Sequence, residues 1–462
     1  MRVKENIFRA YDVRGVVGEE LNEELYYALG RAYATTALDQ DSGAIYSGYD
    51  GRTSSAAFAK ALNAGMVASG ADVVDIGMAP SPLVYFAALR NGGSGIVVTG
   101  SHNPPNYNGC KMMINGHTLE TQWIQDLRGL IEAESYADGT GRLRQEDFFP
   151  AYVKAVENRA RLARPLKVVI DAGNGVAGAF APQVFRTLGC DVVELYCNVD
   201  GRFPNHHPDP SQPANMQDLC QAVRAHGADL GIGFDGDADR VGVVDNQGRL
   251  LFPDRVLMLL AEDALERNGG GTVIFDVKCS QHLGALVEKL GGTALMYKTG
   301  HSLIKKKIKE VDALIAGEMS GHLFVCEAWN GSDDAILVAC VVAQILSKHE
   351  GKTLAQLFDA YPQSVSTPEI NVTVGDDRKF AVVDQIKTQL RAQSPGARLI
   401  EIDGARIEFD EGWGLIRASN TTPALVVRIE AESRQALERI HAVLQKALSH
   451  VIPDARIALP RD

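Results

Sequence analysis

Short runs of aliphatic and β-branched residues, each ending at a glycine or an aspartate and followed by a helical pattern, recur along most of the chain. This alternation is typical of parallel sheets covered by helices in α/β domains. Three such runs end in an aspartate, at residues 44–50, 167–171 and 272–276. A second apolar run in each segment leads into a polar loop that contains glycine, at residues 95–104, 230–240 and 313–322. We therefore predict an α/β unit that occurs three times in divergent form.

The last part of the chain has a different pattern. Residues 368–374 and 406–410 alternate like half-buried strands, and residues 424–430 lead into a helix with an apolar face. This pattern predicts a smaller α+β domain at the C-terminus. A length of 462 residues is several times the roughly 100–200 residues of one domain. The predicted domains are 1–147, 148–248, 249–362 and 363–462.

Composition excludes some classes of protein. A net charge of −12 argues against a chain that mainly coats nucleic acid. The seven cysteines are scattered without a CxxC pair, which favours reduced thiols and a cytoplasmic location. No secretory signal is evident at the N-terminus, and the longest apolar run, 335–346, is far shorter than the ~20 residues needed to cross a bilayer. Asp333 and Asp334 precede that run and are interpreted as an N-cap, so a core helix is predicted.

The segment Asp235-Gly-Asp237-Ala-Asp239-Arg240 follows a predicted strand. Three carboxylates at alternate positions can bring their oxygens together on one hard cation such as Mg²⁺. An EF-hand is excluded, because Arg240 stands at the sixth position and Asn246 at the twelfth. A solvated acidic turn remains an alternative. Arg240 indicates that the site also meets an anion.

The loop Thr99-Gly-Ser101-His102-Asn-Pro-Pro follows an apolar strand, at the end where parallel α/β sheets bind ligands. A serine hydrolase is not indicated, because the chain has no GxSxG motif. His102 is a poor candidate for a base on Ser101, its neighbour in sequence. Alone the loop is equally well a simple turn. Together with a metal site, Ser101 becomes a candidate phosphoryl acceptor.

Residues 173–178 contain GxGxxG after a strand, with Asp191 and Glu194 downstream. This pattern allows a dinucleotide site and hence a nicotinamide-dependent oxidoreductase. An aspartate just before the first glycine would crowd a pyrophosphate. We therefore prefer a strand-to-helix turn that needs small residues, and keep the oxidoreductase as an alternative.

Two further loops carry polar groups. Glu318, Ser320 and His322 suit hydrogen bonding to vicinal sugar hydroxyls, and Arg417 stands beside several hydroxyls in a plausible phosphate nest. Each loop is also explained by an ordinary turn. The basic run 305–309 is interpreted as a solvated helix face.

These four loops, TGSHNP, DGDADR, GEMSGH and RASNTTP in this order, resemble the signature loops of the α-D-phosphohexomutase family. The resemblance extends from Tyr11 to Thr422 and is closest to the bacterial phosphomannomutase/phosphoglucomutase branch. It implies four domains around a central cleft, three with a shared α/β core and the fourth smaller, mobile and phosphate-binding.

The resemblance also implies roles for single residues. Ser101 would carry the phosphoryl group and, with Asp235, Asp237 and Asp239, hold one Mg²⁺ per active site. Arg240 would help to neutralise the phosphate, and Lys111 is the preferred proton-handling group, with His322 second, on the premise that burial among cations lowers the lysine pKa. The substrate-binding residues would be Tyr11, Arg14, Lys278, His301, Glu318, Ser320, Arg417, Ser419, Asn420 and Thr421.

The implied reaction interconverts hexose 1-phosphate and hexose 6-phosphate, of mannose, glucose or both. It would pass through a hexose 1,6-bisphosphate that also serves as activator. Small sugar phosphates are then the expected partners of a monomer or weak dimer, with neither nucleic acid nor membrane. A phosphoglucosamine mutase and a non-catalytic sugar-phosphate binding protein remain alternatives.

Two positions depart from the family's pattern. Ala238 stands where many relatives have glycine, a change that should leave the metal ligands in place. Cys326 stands where some close relatives carry a basic residue, so a phosphate contact there is in doubt.

Overall fold

A computed structural model describes residues 1–328, 331–375, 377–420 and 422–459. The described chain forms four sheets, and we name the first, second, third and C-terminal domains after the sheets that they carry. Three of the four sheets contain the same four-strand core.

The first domain has a mixed sheet. Its strands are β1 (Val13–Val16), β2 (Ile45–Tyr49), β3 (Val73–Met78), β4 (Ser94–Val98), β5 (Tyr107–Ile114), β6 (His117–Thr118) and β7 (Leu143–Gln145). Its helices are α1 (Glu23–Asp39), α2 (Ser55–Ala68), α3 (Ser81–Arg90) and α4 (Gln122–Ala133). The strand order is β1-β5-β4-β2-β3-β7, with β6 paired to β5.

The second domain repeats the core of the first. Its helices and strands are α5 (Phe149–Arg159), β8 (Lys167–Asp171), α6 (Ala181–Thr187), β9 (Asp191–Leu195), α7 (Gln217–His226), β10 (Leu230–Phe234), β11 (Val241–Asp245) and β12 (Leu250–Leu251). The strand order is β12-β11-β10-β8-β9, with β8 parallel to β9 and β10, and β10 antiparallel to β11.

The third domain has the smallest α/β sheet. Its strands are β13 (Thr272–Asp276), β14 (Thr293–Tyr297), β15 (Ile315–Gly317) and β16 (Leu323–Val325). Its helices are α8 (Pro253–Asn268), α9 (Gln281–Lys289), α10 (His301–Val311), α11 (Ala335–Lys348) and α12 (Leu354–Asp359). The strand order, read from β16, is β16-β15-β13-β14.

The predicted triplication is confirmed by topology. The orders β5-β4-β2-β3, β11-β10-β8-β9 and β16-β15-β13-β14 are the same arrangement of three parallel strands and one antiparallel edge. Each of the three runs that end in an aspartate forms an inner strand of its sheet. Each predicted polar loop connects a parallel strand to the antiparallel strand beside it, so the three loops occupy equivalent places.

The aspartates that end these three runs are buried, and they accept hydrogen bonds from neighbouring loops. Asp50 accepts hydrogen bonds from the Thr99 hydroxyl at 2.8 Å and from the Gly100 amide at 3.2 Å. Asp276 accepts from the Thr299 hydroxyl at 3.0 Å and from the Met319 amide at 3.4 Å. In these two domains the aspartate ties its own strand to the loop that follows the neighbouring strand.

The C-terminal domain is the predicted α+β unit. Its strands are β17 (Val365–Ser366), β18 (Ile370–Thr373), β19 (Arg398–Ile400), β20 (Ala405–Phe409), β21 (Gly412–Ala418) and β22 (Ala424–Ala431). Its helices are α13 (Lys379–Gln393) and α14 (Arg434–Val451). The strand order β17-β22-β21-β20-β19 is antiparallel throughout, with β18 also paired to β22.

Helix α11 confirms the predicted core helix. Its residues are buried except near Gln344 and its end, and they belong to an apolar cluster that extends through the three α/β domains. Asp334 caps the helix by accepting from the Leu337 amide at 2.9 Å, whereas Asp333 does not take part in capping. Within the described residues, no helix is both long and apolar enough to cross a membrane.

The prediction of a solvated basic face on α10 is wrong for Lys305. Its side chain is 11% exposed, pairs with Asp333 at 2.5 Å and lies 4.9 Å from the ring centre of Tyr85 in the first domain. Lys309 donates to the Gly116 carbonyl of the same domain. The lysine run therefore docks the third domain against the first, because long side chains can bury their stems while pairing their charges.

Candidate active site

A cleft of about 470 Å³ lies between the four domains and receives side chains from each of them. The predicted site residues that line it are Tyr11, Arg14, Ser101, Lys111, Arg240, Lys278, His301, Glu318, Ser320, His322, Arg417, Ser419 and Asn420. Asp235, Asp237 and Asp239 are fully buried and contact the lining residues Ser101 and Lys111. Thr421 lies outside the described residues. Sequence reasoning thus selected side chains that the fold brings together from distant parts of the chain.

Ser101 lies on the loop between β4 and β5, in a strained backbone conformation with φ of 47°. Its Oγ donates to Asp235 Oδ2 at 3.0 Å, and His102 Nδ1 lies 3.2 Å from the same Oγ. Gly236 fits beneath the loop, since a Cβ at that position would collide with the Ser101 carbonyl. The first and second domains therefore meet where the hydroxyl faces the acidic loop. His102 was expected to be a poor partner for its sequence neighbour, yet its ring lies within hydrogen-bond distance of the Ser101 hydroxyl.

The acidic loop between β10 and β11 can hold a metal ion. Carboxylate oxygens of Asp235, Asp237 and Asp239 lie within 4.8 Å of one another. Oδ1 atoms of Asp237 and Asp239 are buried and have no hydrogen-bond partner among the described residues. Buried oxygens that only accept are the ligands that a hard divalent cation prefers. The residues present therefore fit the Mg²⁺ site predicted from their spacing.

The charges of this loop are only partly balanced by protein. Burial, with Asp239 and Asp237 close by, raises the pKa of Asp235 well above its usual value. Burial also opposes ionisation of Asp237, but the ammonium of Lys111 at 2.7 Å outweighs it and lowers the pKa of that carboxyl. The positive charges of Lys111 and Arg240 do not match three buried carboxylates, so a divalent cation would complete the balance.

The premise that burial among cations lowers the pKa of Lys111 is wrong. Burial lowers its pKa, but Asp237 and Asp239 more than compensate and raise the pKa above its usual value. Lys111 lies among carboxylates rather than among cations, because β5 brings it beneath the acidic loop.

His322 is held between two charged side chains. Its Nε2 accepts a hydrogen bond from Arg240 Nε at 3.0 Å, and its Nδ1 lies 3.1 Å from Asp333 Oδ2. The ring of His301 stacks on it with centres 5.0 Å apart. Because Nε2 accepts from Arg240, a neutral His322 ring carries its proton on Nδ1, the nitrogen that faces Asp333. Sequence reasoning missed Asp333 because a second aspartate before a helix suggested only a cap.

The remaining cleft loops come from the third and C-terminal domains. The Glu318 carboxylate accepts from the Gly300 amide at 2.6 Å, and burial raises the pKa of Glu318. Arg417, on β21, donates to Asp403 at 2.9 Å. Asn420 donates to the Tyr11 hydroxyl at 3.1 Å, so the C-terminal and first domains touch across the cleft. Burial, reinforced by Glu318, raises the Tyr11 pKa to about 12 and keeps that hydroxyl protonated.

Arg52 supports the loop that carries Ser101, and the sequence did not reveal this role. Its guanidinium donates to four backbone carbonyls at 2.6–2.9 Å, those of Ser101, Asn103, Pro104 and Tyr107. It also pairs with Asp50 at 3.2 Å, and its side chain is fully buried. The segment Asp50-Gly-Arg52 at a strand end was the available signal, but only the fold shows that the guanidinium reaches a loop about fifty residues away.

We expect the Arg52→Met variant to lose about 3–5 kcal/mol of unfolding free energy, because four buried carbonyls would lose their donor and the Asp50 carboxylate would lose its ion-pair partner. Urea unfolding of the purified protein measures this loss. Arg144→Met, at an exposed arginine of the same domain, serves as control and should change stability by less than about 0.5 kcal/mol. Equal stability of the two variants would contradict the conclusion that Arg52 supports the loop that carries Ser101.

The glycines of the GxGxxG pattern serve packing. A Cβ on Gly178 would collide with the backbone of Cys197, and one on Gly175 would press on Ala172 and Gly236. Asp171 accepts from the Gly173 amide at 2.9 Å and faces His206. The turn is filled by protein atoms, in agreement with the preferred interpretation and against a dinucleotide site.

Cys326 is not among the residues that line the cleft. It packs with Ile308 and its neighbours beside β16. The departure at this position therefore concerns apolar packing beneath α10 and not a contact within the cleft.

Four sequence models of one family match the chain in order. Domains I, II and III of phosphoglucomutase/phosphomannomutase, described as alpha/beta/alpha, match residues 5–138, 150–248 and 252–365. The C-terminal domain of the same family matches residues 369–447. Together the four matches cover most of the chain.

Known proteins agree with these matches. Phosphomannomutase/phosphoglucomutase of Pseudomonas aeruginosa PAO1 is 49% identical over 98% of this chain and 97% of its own length. A crystal structure of a phosphoglucomutase/phosphomannomutase family protein from Burkholderia thailandensis superposes with a TM-score of 0.92 at 43% identity, covering 100% of both chains. Aspergillus fumigatus N-acetylphosphoglucosamine mutase in complex with glucose 1,6-bisphosphate shares the fold, with a TM-score of 0.61 at 16% identity over 97% of this chain and 96% of that one. With four ordered domain matches and close relatives of full length, the chain belongs to the phosphoglucomutase/phosphomannomutase family.

Proposed function

We propose that this protein is a hexose-phosphate mutase that interconverts the 1-phosphates and 6-phosphates of glucose and mannose. The observation that carries the proposal is the Ser101 hydroxyl, which faces the cleft and lies 3.0 Å from Asp235 of a buried triad of aspartates. The family relation supports it, since the Pseudomonas relative is named for both sugars. A cytoplasmic location is part of the proposal and fits the reduced, scattered cysteines.

In the first half-reaction, phospho-Ser101 gives its phosphoryl group to the free O1 or O6 hydroxyl of a hexose phosphate. The bond from Oγ to phosphorus breaks, a bond from phosphorus to the sugar oxygen forms, and the hydroxyl proton ends on Oγ. The product is a hexose 1,6-bisphosphate. In the second half-reaction the sugar has turned, and its other phosphoryl group returns to Ser101 by the reverse step.

The side chains around Ser101 supply positioning and charge, on which phosphoryl transfer depends. A Mg²⁺ held by Ser101, Asp235, Asp237 and Asp239 would neutralise charge on the transferring phosphoryl oxygens. Arg240 lies on the same loop and lines the cleft, so its guanidinium can pair with that group. Lys111 and His322 are the groups that we propose for the proton relay.

The sugar and its second phosphate would be held on the opposite side of the cleft. Glu318 and Ser320 would bind the O3 and O4 hydroxyls. These two hydroxyls exchange places when the sugar turns, so the same contacts can form in both orientations. Arg417, Ser419, Asn420 and, by resemblance, Thr421 would hold the phosphate that does not react. Tyr11, Arg14, Lys278 and His301 line the remaining wall, as substrate-binding residues.

The test is conversion of each sugar 1-phosphate to its 6-phosphate, followed by ³¹P NMR with Mg²⁺ and a trace of glucose 1,6-bisphosphate. We expect both glucose 1-phosphate and mannose 1-phosphate to be converted, and mass spectrometry to find the phosphoryl group on Ser101. Absence of conversion for both sugars would overturn the proposal. Faster turnover of glucosamine 6-phosphate than of either would reassign the substrate.

A further inference from the structure

The segment after β13 carries Lys278 into the cleft and is gripped by the C-terminal domain. Arg406 Nη1 donates to the Val277 carbonyl at 2.8 Å and to the Cys279 carbonyl at 2.7 Å. Arg428 donates to the carbonyl between them, that of Lys278 itself. Three consecutive carbonyls of one domain therefore accept from two guanidinium groups of another. We call Arg406 and Arg428 the arginine clamp.

The two arginines of the clamp are buried and have several fixed contacts. Both side chains are at most 1% exposed. The Arg406 guanidinium stacks 3.8 Å from the ring centre of Trp413, which packs against Val277. Arg428 is fixed by Asp254 at 3.1 Å. Buried, paired arginines with fixed partners have little freedom, so the carbonyls that they hold are fixed as well.

The same domain also holds the other end of Lys278. Its ammonium donates to Glu369 Oε1 at 2.5 Å and lies 3.5 Å from Asp276. Next along the chain, the Ser280 hydroxyl donates to Glu430 at 2.6 Å. Backbone and side chain of Lys278 are thus both set by residues of the C-terminal domain, although Lys278 belongs to the third.

We propose that Arg406 and Arg428 are positioning residues that fix Lys278 for binding an anionic sugar phosphate. A role in stability alone does not require this geometry, because apolar side chains of similar volume can replace buried ion pairs without loss. Here the donors are aimed at the carbonyls that flank and include one cleft lysine. This inference rests on the proposed function, in which Lys278 contacts substrate.

A double-mutant cycle tests the proposal with Arg406→Met, Lys278→Met and the double variant, each measured for kcat and KM on glucose 1-phosphate. We expect each single variant to lower kcat/KM roughly ten- to a hundredfold, since misplacing a binding group by about 1 Å is that costly. The double variant should be no worse than Lys278→Met alone, because Arg406 acts through Lys278. Independent, multiplying losses would overturn the proposal, as would wild-type kcat/KM for either single variant.

Two controls keep the outcome readable. Arg391→Met, at an exposed arginine of the same domain, should leave kcat/KM unchanged. If Arg406→Met does not fold, Arg406→Lys replaces it in the cycle with the same expectation, because lysine keeps the charge but cannot reach both carbonyls.

Turnover by the wild type tests the proposed function separately. Without turnover, the same cycle is measured on the affinity for glucose 1-phosphate, where coupling supports the arginine clamp and additivity overturns it.

Discussion

The Ser101→Ala variant is expected to form no phosphoenzyme and to lose at least about 100-fold in kcat. The Ser101 hydroxyl faces both the cleft and the acidic triad, at 3.0 Å from Asp235. Alanine removes the oxygen that would carry the phosphoryl group and leaves the loop in place, because Arg52 grips backbone carbonyls and not the hydroxyl. Incubation with glucose 1,6-bisphosphate, followed by intact-protein mass spectrometry and an activity assay, measures both effects.

The matched control is Ser47→Ala in the neighbouring strand β2. Ser47 is equally buried, and its hydroxyl has no hydrogen-bond partner among the described residues. This variant should keep wild-type phosphorylation and turnover. Full activity of Ser101→Ala, or a phosphoryl group that remains in it at wild-type level, would contradict the role of the serine.

Much of this architecture could be predicted from local sequence patterns. Strands that end in an aspartate, and polar loops after a second strand, are readable because strand and turn preferences act over a few residues. The fold places the three loops at equivalent positions of three repeated sheets, and the domains are arranged so that residues of these loops line one cleft. The acidic triad was recognisable for the same reason, since alternate positions of one short loop need no distant partner.

What the sequence did not reveal are partnerships between buried charges far apart in the chain. Arg52 binds a loop about fifty residues away, and Arg406 binds carbonyls more than a hundred residues away. Lys305 looked like one of several solvated lysines, yet its ammonium is paired with the buried Asp333. Burial of a charge is decided by tertiary contacts, and neither residue type nor local pattern carries that information.

Removal of divalent cations is expected to lower kcat by about a thousandfold or more, and kcat should recover when Mg²⁺ is added back. The reason is electrostatic, since among the described residues Lys111 is the only lysine or arginine within ion-pair distance of the three buried carboxylates, and Arg240 acts on them from farther away. Mg²⁺ should also raise the melting temperature, because a ligand that binds only the folded state stabilises it. Calorimetry of EDTA-treated protein with and without Mg²⁺ measures this second effect independently of activity.

The Asp235→Asn variant distinguishes loss of metal binding from loss of folding stability. Asparagine keeps the acceptor for the Asp239 and Arg240 amides and removes one of three mutually repelling charges. The metal-free variant should therefore be at least as stable as the metal-free wild type, while its response to Mg²⁺ and its turnover are lost. Asp245→Asn is the matched control, because this buried aspartate of the same domain only holds Arg249 and its turn. A normal Mg²⁺ response in Asp235→Asn would show that the cation binds elsewhere.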